Sequence, residues 1–236
     1  MRGLLTAALE NPWGALGTVL GGPLHPGGRE ATADLLDRAG VGEGTRLLDV
    51  GCGAGTALAQ ARDRGATAAG IDRSPDRVPG TATVRGDLAA LPVADGAVDV
   101  ALAECVLCLA DDLDGALADV ARTLAPEGRL ALSDVVVDGD LPALPGVIER
   151  TLCLDGDRRR ERLVDAVEDA GLTVVDRRDH PEDLLEMRDR VRAAVDYETL
   201  LGAMGERGER LLDGVHDLEE AVEDRRVGYL SLVAEA

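Results

Sequence analysis

Three glycines that alternate with small residues follow an aspartate in the segment best suited to binding a ligand. Asp49 is followed by Gly51, Gly53 and Gly55, directly after an apolar run. A glycine turn at the carboxyl end of a buried strand is where open α/β sheets bind ligands, because glycine lets the backbone approach closely. A dinucleotide fingerprint would need its third glycine where Thr56 stands, so the spacing argues against a nicotinamide-dependent oxidoreductase. The spacing favours a compact zwitterionic ligand. Asp49 would accept a hydrogen bond from its ammonium group, directly or through water.

Two more aspartates end short apolar runs further along the chain. Asp72 closes the segment Gly-Ile-Asp, and Asp87 lies in Gly-Asp-Leu. The carboxyl ends of parallel strands meet at one edge of a sheet, so we expect both carboxylates beside the glycine turn. The structural alternatives are a helix cap for Asp72 and a turn residue for Asp87.

These motifs, in this order, resemble those of the class I S-adenosylmethionine-dependent methyltransferases. The family's first motif, an apolar run followed by Asp-x-Gly-x-Gly-x-Gly, matches residues 46–55 in full. The resemblance implies that Asp72 accepts hydrogen bonds from the ribose hydroxyls of S-adenosylmethionine and that Asp87 faces its adenine amino group. The cofactor-binding residues predicted in this way are Asp49, Gly51, Cys52, Gly53, Gly55, Asp72, Arg73, Asp87, Leu88 and Glu104.

Two later segments extend the resemblance over residues 30–178. Residues 98–102 are similar to the family's fourth-strand motif. Residues 124–130 are similar to its Leu-x-Pro-Gly-Gly-x-Leu turn, with Glu127 in place of one glycine. The wider group is the ubiquinone/menaquinone-biosynthesis-like methyltransferases, which act on small carbon, oxygen and nitrogen nucleophiles. The resemblance therefore implies methyl transfer to a small-molecule acceptor.

Candidate residues for the acceptor side are three cysteines and a histidine. Cys105 and Cys108 follow the predicted fourth strand, Cys153 follows the fifth, and His180 follows the sixth. Methyl transfer needs mainly alignment of donor and acceptor, so neither a metal nor an obligatory catalytic residue is required. The cysteines are interpreted either as small buried hydrophobes or as a thiolate cluster for a soft electrophile. Under the second hypothesis the chain resembles the arsenite methyltransferases, some of which carry a segment similar to residues 153–156.

An alternative of another class keeps the cofactor site without catalysis. A sensor or partner-activating subunit that binds S-adenosylmethionine would retain every residue that identifies the cofactor. Transfer of a labelled methyl group to a metabolite pool distinguishes an enzyme from such a sensor.

The amino-acid composition argues against some classes of binding partner and reaction. The formal net charge is −20, and all 25 basic residues are arginine. Such a charge repels nucleic acid and anionic lipid, and the lack of lysine rules out a lysine Schiff base. An acidic, lysine-free chain is typical of extreme halophiles, although codon bias in a GC-rich genome is the alternative. We find no signal peptide and no apolar stretch long enough to span a membrane, so we expect a cytoplasmic protein with reduced cysteines, as a monomer or a homodimer.

Alternating strand and helix patterns must position these residues. The predicted strands cover residues 46–50, 67–71, 81–85, 98–103, 128–137, 172–177 and 227–233. The predicted helices cover residues 29–39, 56–64, 113–124 and 159–170. This order predicts an α/β, Rossmann-like three-layer sandwich with a mainly parallel seven-stranded sheet and an antiparallel last strand beside the sixth.

Two segments depart from this alternation. Residues 1–28 are rich in glycine and proline and are interpreted as an N-terminal arm over the active site. Residues 29–236 then form one methyltransferase domain. Its helical insertion at residues 181–225 consists of two charged amphipathic stretches.

Overall fold

The computed structural model describes residues 23–73, 82–141, 146, 149, 152–154 and 159–236. The strands are β1 (Arg46–Val50), β2 (Thr67–Asp72), β3 (Thr83–Arg85), β4 (Val98–Glu104), β5 (Leu124–Val137), β6 (Thr173–Asp179) and β7 (Val227–Glu235). The helices are α1 (Gly28–Arg38), α2 (Thr56–Asp63), α3 (Leu113–Thr123), α4 (Arg160–Asp169), α5 (Pro181–Ala194), α6 (Tyr197–Gly202) and α7 (Glu206–Glu223). None of the helices in these ranges is long and apolar enough to cross a membrane.

The seven strands form one sheet in the order β3-β2-β1-β4-β5-β7-β6. Strands β1 to β5 pair in parallel, whereas β7 runs antiparallel to both of its neighbours. The chain leaves β1 towards β2 on one side and later places β4 on the other. The connections therefore diverge between β1 and β4, and this is where sheets of this type open a ligand crevice at the carboxyl ends of their strands.

The predicted Rossmann-like fold is confirmed, and so is the antiparallel pairing of the last strand with the sixth. The structure adds that β7 lies between β5 and β6. It pairs with β5 over nine positions, from Arg129 opposite Glu235 to Val137 opposite Val227. The last strand is thus an interior strand of the sheet, which agrees with its burial.

Helices cover the sheet on both faces. Leu47 and Leu48 of β1 point to opposite faces, as successive strand residues must. Leu47 packs in a cluster with residues of α1 and α2, and Leu48 packs in a second cluster with residues of α3 and α4. The core is mainly aliphatic, and Tyr229 of β7, at 1% exposure, is its largest fully buried side chain.

The helical insertion is divided differently from the prediction. Three helices, α5, α6 and α7, occupy the region where two amphipathic stretches were expected. Asp196 accepts a hydrogen bond from the Thr199 backbone N–H and so starts α6, while Gly205 takes a left-handed φ of 64° before α7. These local signals override the helical periodicity.

Two other expectations fall partly outside the described residues. The third strand was expected to begin at residue 81, which is not described, and it is observed from Thr83. Most of the expected N-terminal arm, residues 1–22, is not described either.

Candidate active site

A cavity of about 980 Å³ opens at the carboxyl ends of β1, β2 and β4, where the connections diverge. Pro23, Leu24 and His25 of the N-terminal segment line one side of it. The residues predicted from sequence that line the cavity are Asp49, Gly51, Gly53, Asp72, Arg73, Asp87, Leu88, Glu104 and Cys105. Most of the predicted set is therefore gathered around one cavity.

The glycine turn needs its glycines for different reasons. Gly51, Gly53 and Gly55 have φ values of 76°, 48° and 75°, a left-handed conformation that side chains disfavour. A Cβ at Gly51 would overlap Val106. A Cβ at Gly53 would have no neighbour closer than the Gly51 carbonyl oxygen at 4.0 Å, so this part of the backbone faces open space. The turn thus presents bare backbone to the cavity.

Asp49 lies behind the turn and is 4% exposed. Its Oδ2 is buried and has no hydrogen-bond partner among the described residues. Burial, followed by the charges of Glu104 and Asp72, raises the pKa of Asp49 well above its usual range. An orphaned buried acceptor is costly unless a donor arrives, so this carboxyl suits a cationic ligand group at the turn.

Asp72 and Asp87 line the cavity from the next strand and loop. Asp72 Oδ2 accepts a hydrogen bond from the Gly53 N–H at 3.0 Å, which ties the end of β2 to the glycine turn. Asp87 accepts one from the Ala89 N–H at 3.1 Å and lies 3.7 Å from Arg73 Nε. Asp87 is therefore a turn residue and a cavity residue at once.

The side chain of Cys52, which was predicted to bind the cofactor, lies behind the turn. A Cβ at Gly70 on β2 would lie 2.6 Å from its Sγ, so the thiol packs against that strand. Burial raises the pKa of Cys52 to about 12. Neither Cys52 nor Gly55 is a lining residue of the cavity. Gly55 instead precedes the first residue of α2.

Glu104 ends β4 at the centre of the cavity wall. Its side chain is 8% exposed, and burial raises its pKa to about 7 although a hydrogen bond from Thr32 lowers it. His25 Nε2 lies 3.8 Å from Glu104 Oε2. Burial in turn lowers the pKa of His25.

Neither Thr32 nor His25 was among the site residues predicted from the sequence. Thr32 has no exposed surface and contacts both oxygens of Glu104. No spacing pattern connects it to a residue 72 positions away. The expectation that residues 1–28 lie over the active site was a signal for His25 but not for Thr32, which lies in α1.

The structure bears on the two interpretations of the cysteines, as buried hydrophobes or as a thiolate cluster. Cys108 and Cys153 are joined in a disulfide with Cα atoms 5.3 Å apart, so the prediction that all cysteines are free thiols is wrong. The Cys105 thiol is separate and donates to Tyr229 Oη at 3.9 Å. Burial, and then the charge of Asp134, raise the pKa of Cys105 well above its usual range. Among the described residues the three sulfurs do not converge, and a three-thiolate site for a metalloid has no support.

His180 is not among the residues that line the cavity. Its Nε2 is 2.6 Å from Ser231 Oγ on β7, and its Nδ1 is 3.6 Å from an Asp183 carboxylate oxygen. Its ring also lies near that of Tyr229, with centroids 6.0 Å apart. These contacts connect the start of α5 to the sheet, so His180 has a structural position here.

The glycine turn, the unpartnered Asp49 and the aspartates at adjacent strand ends surround one cavity of a Rossmann-like sheet. This combination is typical of enzymes that use a nucleoside cofactor. Residues 48–132 match the family described as a methyltransferase domain. The methyltransferase GfsG of Streptomyces halstedii is 33% identical over 204 residues, which cover 79% of this chain and 73% of that protein. The chain belongs to the S-adenosylmethionine-dependent methyltransferases.

Two further comparisons support this family and fold. The O-methyltransferase resE of Aspergillus sclerotiorum is 29% identical over 223 residues, covering 86% of this chain and 80% of that protein. The crystal structure of the [4+2]-cyclase SpnF superposes with a TM-score of 0.72 at 24% identity, covering 98% of this chain and 93% of that one. The second likeness concerns the fold alone.

Proposed function

We propose that this methyltransferase holds the amino acid end of S-adenosylmethionine at the glycine turn, its ribose at Asp72 and its adenine beside Asp87 and Leu88. The observation that supports this most is the buried Asp49 Oδ2, which lacks a hydrogen-bond partner among the described residues and belongs to a residue that lines the same cavity as Gly53. When bound, the cofactor supplies an electrophilic methyl group on a sulfonium. The protein's own contribution is to hold donor and acceptor in line and to exclude water.

Charge supports this assignment. The carboxyl groups of Asp49, Asp72 and Glu104 line the cavity beside the turn, and the charges of the other two act on Asp49. A cofactor with a sulfonium and an ammonium brings two positive charges to these acids and relieves their mutual repulsion. A dinucleotide would instead bring a diphosphate, which carboxylates repel.

The acceptor is a small molecule that enters beside the N-terminal segment. Pro23, Leu24 and His25 line the cavity, which supports the prediction that residues 1–28 form an arm over the active site. The cavity of about 980 Å³ is at the upper end of the usual range for small-molecule sites, so it suits a cofactor together with a modest acceptor. The net charge of −20 disfavours nucleic acid.

Two measurements test this proposal. Isothermal titration should show micromolar binding of S-adenosylmethionine or its demethylated product and no preference for NAD. Incubation with methyl-labelled S-adenosylmethionine and a small-molecule extract of the source organism should move label into the extract. Binding without transfer would favour the sensor alternative, and preference for NAD would refute the cofactor assignment.

The excess of carboxylates also supports adaptation to high salt. Acidic residues number 45 against 25 arginines, and many arginines are already engaged in ion pairs, as Arg122 is with Asp95 and Asp119. The remaining acids repel one another in the folded state unless salt screens them. Halophily, the cytoplasmic location and the homodimer remain predictions.

A further inference from the structure

The end of β4 carries a hydrogen-bonded cluster that binding of the cofactor does not explain. Thr32 of α1 reaches Glu104, with Oγ1 at 3.2 Å from Oε1 and 3.1 Å from Oε2. The same hydroxyl oxygen lies 3.2 Å from His25 Nε2 and 3.2 Å from the Gly28 carbonyl oxygen. Glu104 and His25 both line the cavity, so the cluster is part of its wall.

When Glu104 is ionised, the cluster has more acceptor atoms than protons to share among them. His25 Nδ1 lies 3.0 Å from the Pro26 carbonyl, which only accepts, so Nδ1 is assigned the ring proton and Nε2 is an acceptor. Burial lowers the pKa of His25, and the ring is therefore neutral near pH 7. The Thr32 hydroxyl then has one proton for four acceptor atoms. A proton that arrives on Glu104 can be donated to Thr32 Oγ1 while Thr32 donates to Gly28.

Glu104 lines the cavity at the end of β4, which lies between β1 and β5 in the sheet. On the side of β1, burial and then the charge of Glu104 raise the pKa of Asp49, which belongs to the proposed cofactor site. On the other side, burial first, and then Cys105 and Glu104, raise the pKa of Tyr229. Cys105 itself lines the cavity. Glu104 therefore adjoins both the proposed cofactor site and Cys105, a second residue of the cavity wall.

Four ionisable groups are close enough to Glu104 to interact with it, namely Asp49 on β1, Cys105 after β4, Tyr229 on β7 and His25 before α1. Further charges act on these neighbours: Asp72 on Asp49, Asp134 on Cys105, and Asp183 and Arg190 of α5 on His25. Burial raises the pKa of Glu104 to about 7, against the hydrogen bond from Thr32. A carboxyl group that changes form near neutral pH is suited to accept a proton during a reaction.

We propose that Glu104 is the catalytic base that removes the proton from a hydroxyl acceptor, with Thr32 and His25 as its positioning residues. This inference rests on the proposed function and names the substrate class as a phenol or an enol. The acceptor oxygen forms a bond to the methyl carbon, the bond from that carbon to sulfur breaks with its electron pair going to sulfur, and the hydroxyl proton goes to a Glu104 oxygen. An amine acceptor attacks as its free base and needs no proton acceptor at that moment.

The first test uses Glu104→Gln with the metabolite fraction that accepts label from methyl-labelled S-adenosylmethionine. Nuclear magnetic resonance of the labelled product should show the methyl group on oxygen. With cofactor saturating, the single-turnover rate should fall by roughly 10²- to 10⁴-fold in Glu104→Gln, and the loss of rate at acidic pH should disappear. Binding of S-adenosylhomocysteine should persist. Glu209→Gln, an exposed change of the same charge on α7, is the matched control and should behave as wild type.

The second test concerns the positioning residue Thr32. Thr32→Val removes a hydrogen bond that lowers the pKa of Glu104, so the acidic limb of the pH–rate profile should move to higher pH. Thr32→Ser keeps the hydroxyl and should restore the profile. A change in melting temperature without a shift of the limb would assign Thr32 a merely structural role and overturn its positioning role.

The outcomes separate this inference from the function on which it rests. A label found on nitrogen or carbon, or a wild-type rate in Glu104→Gln, overturns the base while methyl transfer itself stands. Cofactor binding without any label transfer overturns both the base and the enzyme. Loss of cofactor binding in Glu104→Gln assigns Glu104 to the cofactor alone and overturns its role toward the acceptor.

Discussion

Replacement of Asp72 by alanine tests the cofactor assignment most directly. Asp72 lines the cavity at the end of β2 and holds the Gly53 N–H at 3.0 Å. If it also accepts two hydrogen bonds from ribose hydroxyls, their loss costs about 1.5–3 kcal/mol, because bonds to a charged acceptor are stronger than neutral ones. This corresponds to roughly 10- to 150-fold weaker binding of S-adenosylhomocysteine in isothermal titration.

Loss of the Gly53 hydrogen bond also loosens the turn, so the ribose contact has to be isolated. Comparing S-adenosylhomocysteine with its 2′,3′-dideoxy analogue in wild type and in Asp72→Ala forms a double-mutant cycle. The two ligands should differ clearly in wild type and bind almost equally to the variant. Asp213→Ala, an exposed change of the same charge on α7, is the control. Unchanged affinity in a folded Asp72→Ala protein would remove Asp72 from the site.

Four further predictions address salt, pH, backbone conformation and thiols. The melting temperature should rise steeply from low salt to about 1 M, where the screening length is ~3 Å, and a flat response would count against halophily but not against methyl transfer. The affinity for cationic S-adenosylmethionine should increase by up to about tenfold from pH 6 to 8. The reason is that Glu104, with a pKa of about 7 before binding, must release its proton to face the cation. Equal heats of binding in buffers of different ionisation enthalpy would contradict this proton release. Glu127 has a left-handed φ of 64°. Glu127→Gly should relieve ~1–2 kcal/mol of backbone strain and cost ~0.5–1 kcal/mol of chain entropy, so the protein should not become less stable. A lower urea midpoint would refute this. Thiol titration of the denatured, unreduced protein should find only Cys52 and Cys105, whereas four thiols would show that the Cys108–Cys153 pair is reduced.

The sequence alone was sufficient for the fold and for a set of predicted cofactor residues, most of which the structure brings to one cavity. Buried strands and amphipathic helices are local periodic patterns, and the turn at Gly51, Gly53 and Gly55 depends on backbone conformations that glycine adopts best. Asp72 and Asp87 could be placed because each ends or follows a strand whose carboxyl end must lie at the same edge of a parallel sheet. These inferences need no knowledge of which side chains meet across the molecule.

Tertiary packing decided the contacts on the side of the cavity where we propose that the acceptor binds. Thr32 meets Glu104 across 72 residues because α1 packs against the face of the sheet where β4 ends, and Cys108 meets Cys153 across 45 residues. Buried polar contacts of this kind leave no periodic trace, since a single threonine or histidine has the same local propensity wherever its partner lies. The sequence shows which titratable and hydroxyl side chains the chain contains, and only the packed core determines which of them form hydrogen bonds with one another.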